Sequence, residues 1–186
     1  MKALFILALA ALLAACSSTP DATGGVSTPA DTQHWSVKGK VAIWAEDQRE
    51  TANFEWQNCD KRYRIRLSGP LGVGSAIING DPQEVSLQRG GEPTLYADTP
   101  EELLAAMGWI MPVSALRYWL RGKADPRAPA RTATMADNTP TLEQHGWLIE
   151  YSEGGVWPEK ISMNHHSARL KWLLRDWENF SECPLP

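Results

Sequence analysis

The sequence predicts a mainly β protein, an antiparallel barrel or sandwich with two short helices. Three observations carry that prediction. Apolar and polar residues alternate over short runs with a period of two, the mark of strands with one dry and one wet face. Turn residues divide those runs at intervals of roughly 8–12 residues. Between Thr99 and Gly122 the apolar spacing changes to that of helices.

The clearest run is Tyr63 to Gly74. Tyr63, Ile65 and Leu67 face one way, and Arg62, Arg64, Arg66 and Ser68 the other. Gly69-Pro70-Leu71-Gly72 then breaks the pattern as a turn, because proline fixes φ and the glycines permit positive φ. Leu71 sits at the tip of that turn. It either folds back onto the core or stands out for contact with lipid or a partner. Before this run, Val37, Gly39, Val41 and Ile43 share a face opposite Lys38 and Lys40, and Ala52, Phe54 and Trp56 alternate with Asn53 and Glu55. After it come Val73 to Ile78, then Val85 and Leu87, then the short run Thr94 to Ala97, parted by turns at Asn79-Gly80-Asp81-Pro82 and Arg89-Gly90-Gly91.

Thr99-Pro100-Glu101-Glu102 reads as a helix start, with a hydroxyl N-cap, proline in the first turn and glutamate at N3. Leu103, Leu104 and Met107 follow at helical spacing, and Gly108 can end the helix. A second helix is predicted between Pro112 and Gly122 on Val113, Leu116 and Leu120. Two short apolar helices beside a one-sided sheet are expected to cover its dry face. Residues 123–140 read as irregular. Strands then return at Trp147, Ile149 and Tyr151, at Ile161 and Met163, and at Leu170, Trp172 and Leu174.

The N-terminal segment points to a location. Lys2 precedes an unbroken apolar run, Ala3 to Ala15, too short for a permanent span of about 20 residues and matching a secretory signal. Leu13-Ala14-Ala15-Cys16 resembles the bacterial lipobox, in which the cysteine is lipidated and becomes the new N-terminus. The competing reading is an ordinary signal peptide with a chance cysteine. By the enterobacterial sorting rule, serine rather than aspartate at position 17 implies the outer membrane, facing the periplasm. The expected organisation is a signal peptide over 1–15, a flexible Gly/Pro/Ser-rich tether over 16–33 led by Cys16, and one folded domain over 34–186.

Loss of Lys2 takes the net charge from −4 to −5, which argues against nucleic-acid binding. Nine tryptophans suit a thick core or a lined cavity. Cys59 and Cys183 either form a disulfide, which the periplasm permits, or remain two free thiols; spacing alone does not place them within reach. The four histidines are His34, His145, His165 and His166. The last two are adjacent in a strand-like run and are expected on opposite faces, a poor metal pair. No nucleophile elbow or glycine-rich phosphate loop is present, so an enzyme is the weaker class.

Several segments taken in order resemble one family. They are the lipobox; Trp56 followed by Tyr63-Arg64-Ile65-Arg66-Leu67-Ser68-Gly69-Pro70-Leu71-Gly72; Met111-Pro112-Val113-Ser114-Ala115-Leu116-Arg117-Tyr118-Trp119-Leu120-Arg121-Gly122; Trp147-Leu148-Ile149-Glu150-Tyr151; and Leu170-Lys171-Trp172-Leu173-Leu174-Arg175-Asp176-Trp177. Together they are similar to the LolB family of outer-membrane lipoprotein receptors, over Trp35 to Trp177. Cys59, Cys183 and the tail beyond Trp177 depart from it. The resemblance implies an unclosed antiparallel β-barrel with helices packed in its apolar interior. It also implies a cavity for acyl chains, a membrane-insertion loop at Pro70, Leu71 and Gly72, and lipidation at Cys16. The cavity lining it implies comes from Val41, Ile43, Phe54, Trp56, Tyr63, Ile65, Leu67, Ile77 and Leu87 in the first group of strands. Leu104, Met107, Leu116 and Leu120 add to it from the helices, and Ile149, Met163, Leu170 and Trp172 from the last strands. Periodicity alone does not separate such a lining from plain core. The implied partners are the periplasmic carrier LolA, the acyl chains of lipoprotein cargo and the inner leaflet of the outer membrane. A monomer without ATP, metal or redox cofactor is expected. Arg64, Arg66, Arg117 and Arg121 are candidates for docking the carrier. The alternative is a structural outer-membrane lipoprotein that binds another protein through the wet face.

Overall fold

The first and last strands of the fold lie side by side at the middle of one sheet. The computed structural model describes residues 33–45, 48–69, 74–106 and 111–185. Strand β1 (His34–Ala45) and β2 (Gln48–Cys59) lead into β3 (Arg62–Ser68), β4 (Ser75–Gly80), β5 (Val85–Arg89) and β6 (Leu95–Ala97). Helices α1 (Pro100–Ala105) and α2 (Val113–Trp119) follow. Strands β7 (Arg131–Thr134), β8 (Pro140–Gln144), β9 (Trp147–Gly154), β10 (Pro158–Asn164) and β11 (Ala168–Asn179) complete the chain. All eleven strands form one antiparallel sheet in the order β6-β5-β4-β3-β2-β1-β11-β10-β9-β8-β7. The chain therefore meanders from the centre out to β6, crosses by the two helices to β7, and meanders back to the centre.

Register places the apolar residues on one face. Val41 lies opposite Trp172, Ile43 opposite Leu170, and Gly39 opposite both Phe54 and Leu174. Trp56 pairs with Ile65, Ile65 with Ile78, and Ile78 with Leu87. Gly39 is bare for a reason: a Cβ there would run into the Leu173 carbonyl and the Phe54 ring. The same dry face receives Leu103 and Leu104 from α1 and Val113, Leu116 and Trp119 from α2, all in one buried cluster. Unclosed sheet and internal helices are as the sequence implied.

The helix ends follow from their caps. The Thr99 hydroxyl accepts from the Glu102 amide at 3.2 Å. Gly122, at φ +72°, ends α2 by donating to the Trp119 carbonyl at 3.0 Å, and the Lys123 amide donates to Tyr118. Gly108, the expected end of α1, lies outside the described residues.

Three expectations need correction. Strand β7 lies in the stretch read as irregular, and β8 begins at its last residue. β7 is exposed along its length, and β8 has Leu142 alone as an apolar inward residue, with Gln144 at the next inward position, so neither shows the alternation that marks a strand. Ile77 is not on the dry face; it pairs with Arg66 and Gln88, while its neighbour Ile78 takes the inward position. His165 and His166 follow β10 in a turn and pack together, their ring centroids 3.9 Å apart, instead of facing apart along a strand.

Gln144 explains how the long crossover is held. Its Oε1 accepts from Trp119 Nε1 and from the Asp125 amide, each at 2.8 Å. Its Nε2 donates to the Asp125 and Ala128 carbonyls, also at 2.8 Å. All four hydrogen-bonding positions of the amide are used, which is what a buried amide requires. A second tie is covalent: Cys59 and Cys183 form a disulfide across 124 residues, with Cα atoms 5.5 Å apart.

Replacing Gln144 with Leu leaves buried donors and acceptors unpaired, and is expected to lower unfolding stability by about 2–4 kcal/mol in urea titrations. Reduction of the disulfide, or Cys59→Ser with Cys183→Ser, is expected to cost about 3–5 kcal/mol, because it frees a long loop in the unfolded chain. Denaturant midpoints with and without reductant check it.

Candidate functional site

The candidate site is the dry face. Of the residues expected to line it, Val41, Phe54, Trp56, Ile65, Leu87, Leu104, Leu116, Leu120, Ile149, Met163, Leu170 and Trp172 belong to one buried cluster. Ile43, Tyr63 and Leu67 pack against that cluster as half-buried residues. Ile77 is excluded by register, and Met107 lies outside the described residues. Sequence reasoning missed as lining Trp35, Val37, Ile78, Ile161, Leu174 and Trp147, which are equally buried. Alternation had placed most of these on the inward face. Ile78 was hidden because the turn before β4 resets the phase.

Aromatic rings run along one end of this face. Trp157 stacks on Trp177 at 4.7 Å, Trp177 meets Trp35 at 5.6 Å, Trp35 meets Trp56 at 5.9 Å, and Trp56 meets Tyr63 at 6.1 Å. Further along the sheet, Phe54 and Trp172 meet edge to face at 5.1 Å. The Tyr63 ring lies flat against Gly80, where a Cβ would overlap it.

The polar atoms on this face fall into two groups. Trp119 Nε1 is bonded to Gln144, the Tyr151 hydroxyl donates to the Trp119 carbonyl at 3.0 Å, and Trp177 Nε1 donates to the Pro158 carbonyl at 3.1 Å. Trp56 Nε1, Tyr63 Oη and Trp172 Nε1 are buried and have no hydrogen-bond partner among the described residues. Burial pushes the Tyr63 hydroxyl well above the ordinary phenol value; Glu101 adds to the rise and Arg117 opposes it. Tyr63 is therefore a neutral O–H donor at any pH the periplasm reaches.

Charged groups sit beside it. Glu101 of α1 accepts from the Ser114 amide at 2.7 Å and from the Ser114 hydroxyl at 3.0 Å, clamping the start of α2. Arg117 donates to Asn58 Oδ1 at 3.1 Å and to the Asp60 carbonyl. Arg121 is 7% exposed and lies over the rings of Trp35 and Trp157 at 5.9 and 5.6 Å. Both arginines thus brace the interior, Arg121 buried and Arg117 half-buried. Arg66, by contrast, is on the outer face and paired with Glu55 at 3.3 Å, and Arg64 donates to Asn79 at 2.8 Å.

Pro70, Leu71 and Gly72 lie outside the described residues, as does Cys16. The ends of the loop are fixed: Ser68 pairs with Ser75, and the Gly69 amide donates to the Gly74 carbonyl at 3.1 Å. Gly74 takes φ +70°, which only glycine adopts without strain. Among the described residues, no cluster of three or more His, Cys, Asp or Glu could hold a metal. His165 instead stacks on Trp147 at 5.0 Å.

Comparison with known proteins agrees with this architecture. The family described as outer membrane lipoprotein LolB matches residues 33–177. The outer-membrane lipoprotein LolB of Stutzerimonas stutzeri is 32% identical, over 96% of both chains. That of Chromohalobacter salexigens is 34% identical, over 95% of this chain and 90% of its own. Among solved structures, a LolA superfamily protein from Nitrosomonas europaea superposes with a TM-score of 0.52 at 8% identity, over 86% of this chain and 90% of its own, a likeness of fold alone. The chain belongs to the LolB family of outer-membrane lipoproteins.

Proposed function

We propose that this chain is the outer-membrane receptor that accepts lipoproteins from the periplasmic carrier LolA, shelters their acyl chains against its dry face and passes them to the inner leaflet. The observation that carries this reading is the unclosed sheet itself. Side chains from both meanders build one continuous apolar face, and the sheet ends at β6 and β7 without joining them. Each CH₂ moved from water to such a face gains about 0.8 kcal/mol. A multi-chain lipid is therefore held firmly in a dry trough and crosses the aqueous periplasm only inside one. Passage from carrier to receptor to membrane is set by differences in affinity, with no bond made or broken.

The cover over the trough suits entry and release. α1 has six residues and α2 seven, too short to be stable without tertiary packing. They stay in place through Leu103, Leu104, Val113 and Leu116 on the dry face. An acyl chain presents the same kind of surface as these side chains and can take their place.

Cys16, at the head of the tether over 16–33, anchors the folded domain over 34–186 at the membrane, since several acyl chains anchor stably where one does not. Leu71, at the tip of the loop fixed by Gly69 and Gly74, dips into the leaflet and opens a route for the delivered chains.

The direct test is transfer of a purified lipoprotein from its loaded carrier to the full mature chain made soluble by Cys16→Ala. Transfer without ATP supports the receptor reading. A folded protein that leaves the carrier loaded would overturn it and favour a structural lipoprotein. Leu71→Glu is expected to accept cargo normally and to release it into vesicles at least tenfold more slowly; normal release would remove the loop from the mechanism.

A further inference from the structure

Among the described residues, the dry face carries donors that nothing satisfies. Trp56 is 2% exposed and its Nε1 has no partner; Tyr63 Oη is closed to solvent and also has none. Buried donors are nearly always paired, so two orphans in contact with each other are a departure from the norm. They belong to neighbouring strands, with Asn58 opposite Tyr63 and Trp56 opposite Ile65, and their rings meet at 6.1 Å. Gly80 lets the Tyr63 ring lie close against β4, which fixes where the hydroxyl sits. Beyond them this face offers mainly methyl, methylene and ring carbon, with one further unpaired donor, Trp172 Nε1, beside Phe54. A wholly hydrocarbon ligand would leave both donors unpaired; a ligand with carbonyl oxygens beside its hydrocarbon would satisfy them.

We propose that Trp56 and Tyr63 form a carbonyl subsite that binds the ester oxygens at the head of a glyceride-type lipid, while the acyl chains lie on the apolar face beyond it. This rests on the acyl-chain reading given above and adds a polar address to it. Neutral donors suit a neutral ester, which accepts hydrogen bonds but carries no charge. The deep burial that holds the Tyr63 hydroxyl protonated keeps it a donor. Both atoms are closed to water, so an ester reaches them only as the side chains covering them shift. The gain of pairing two orphaned donors then offsets part of the cost of that shift. The subsite also sets polarity along the trough. Ester groups stop at the Trp56–Tyr63 end, near Glu101 and Arg117, and the hydrocarbon runs toward Phe54 and Trp172.

The test compares two synthetic probes on the full mature chain with Cys16→Ala. One is an N-palmitoyl, S-dipalmitoylglyceryl cysteinyl peptide; the other is its analogue with both glyceryl esters replaced by ethers. The ester probe is expected to bind more tightly, and Tyr63→Phe and Trp56→Phe are each expected to lower the ester-to-ether affinity ratio about fivefold, the worth of one hydrogen bond. Taking the ratio cancels any general loosening of the face, and Tyr63→Phe removes a single oxygen, so the test stands even if Trp56→Phe folds poorly. A wild-type ratio near one, or a ratio that neither substitution moves, overturns the subsite while leaving the acyl-chain reading intact, since both probes still bind. Failure of the folded wild-type chain to bind either probe overturns both.

Discussion

The pairing of β1 with β11 is the constraint on which the structure depends. It joins residues at opposite ends of the folded chain, Trp35 with Asn179 and Ile43 with Leu170. Every other strand pairing in the sheet is local, between neighbours in sequence, and builds one meander or the other. Without β1–β11 the two meanders share no sheet, and the dry face divides. Such long-range closure carries a large loop entropy, and two further ties on the same chain ends offset it. The Phe180 amide donates to the His34 carbonyl at 3.1 Å, and the disulfide from Cys59 to Cys183 fixes the tail to the end of β2.

Once closed, the sheet is asymmetric in its polar chemistry. Gln144 uses all four of its hydrogen-bonding positions around the far end of α2, as a permanent core demands. At the Trp56–Tyr63 end the donors are left unpaired. A fold selected for stability alone would put Phe at both positions. Trp172 Nε1, further along, is also unpaired among the described residues, so the cost marks the dry face, and not one end of it, as adapted to something other than packing.

Much of this was legible in the sequence, for physical reasons. Val41, Ile43, Phe54, Trp56 and Leu170 alternate because one face is dry, and the Thr99 cap and the Gly122 stop are local chemistry that a sequence displays directly. The failures were non-local. β8 hides because Leu142 is its only apolar inward residue and the next inward position carries Gln144, whose partners come from the crossover. Ile77 and Ile78 were exchanged because a turn of irregular length resets strand phase, and a shift of one residue changes the face. Arg117 and Arg121 read as surface charges, since nothing in their neighbours announces Asn58, Asp60 or the rings of Trp35 and Trp157. The cysteines could be paired only by knowing that β2 ends beside the tail.

The way α2 is held ties the two ends of the face together. Its last turn is fixed twice, by Trp119 Nε1 on Gln144 and by the Tyr151 hydroxyl on the Trp119 carbonyl. Its first turn is held by the Glu101 carboxylate on Ser114, a contact to another short helix and not to the sheet. Lifting the first turn leaves β-sheet hydrogen bonds intact, whereas lifting the last breaks a buried network. Between them Arg117 ties α2 to Asn58 Oδ1 and the Asp60 carbonyl, beside the Tyr63 hydroxyl that Glu101 and Arg117 both influence. Opening at that end therefore releases Arg117 from Asn58 and Asp60 as well as Ser114 from Glu101, so the donors at Trp56 and Tyr63 lie under a cover held by hydrogen bonds and not by packing alone.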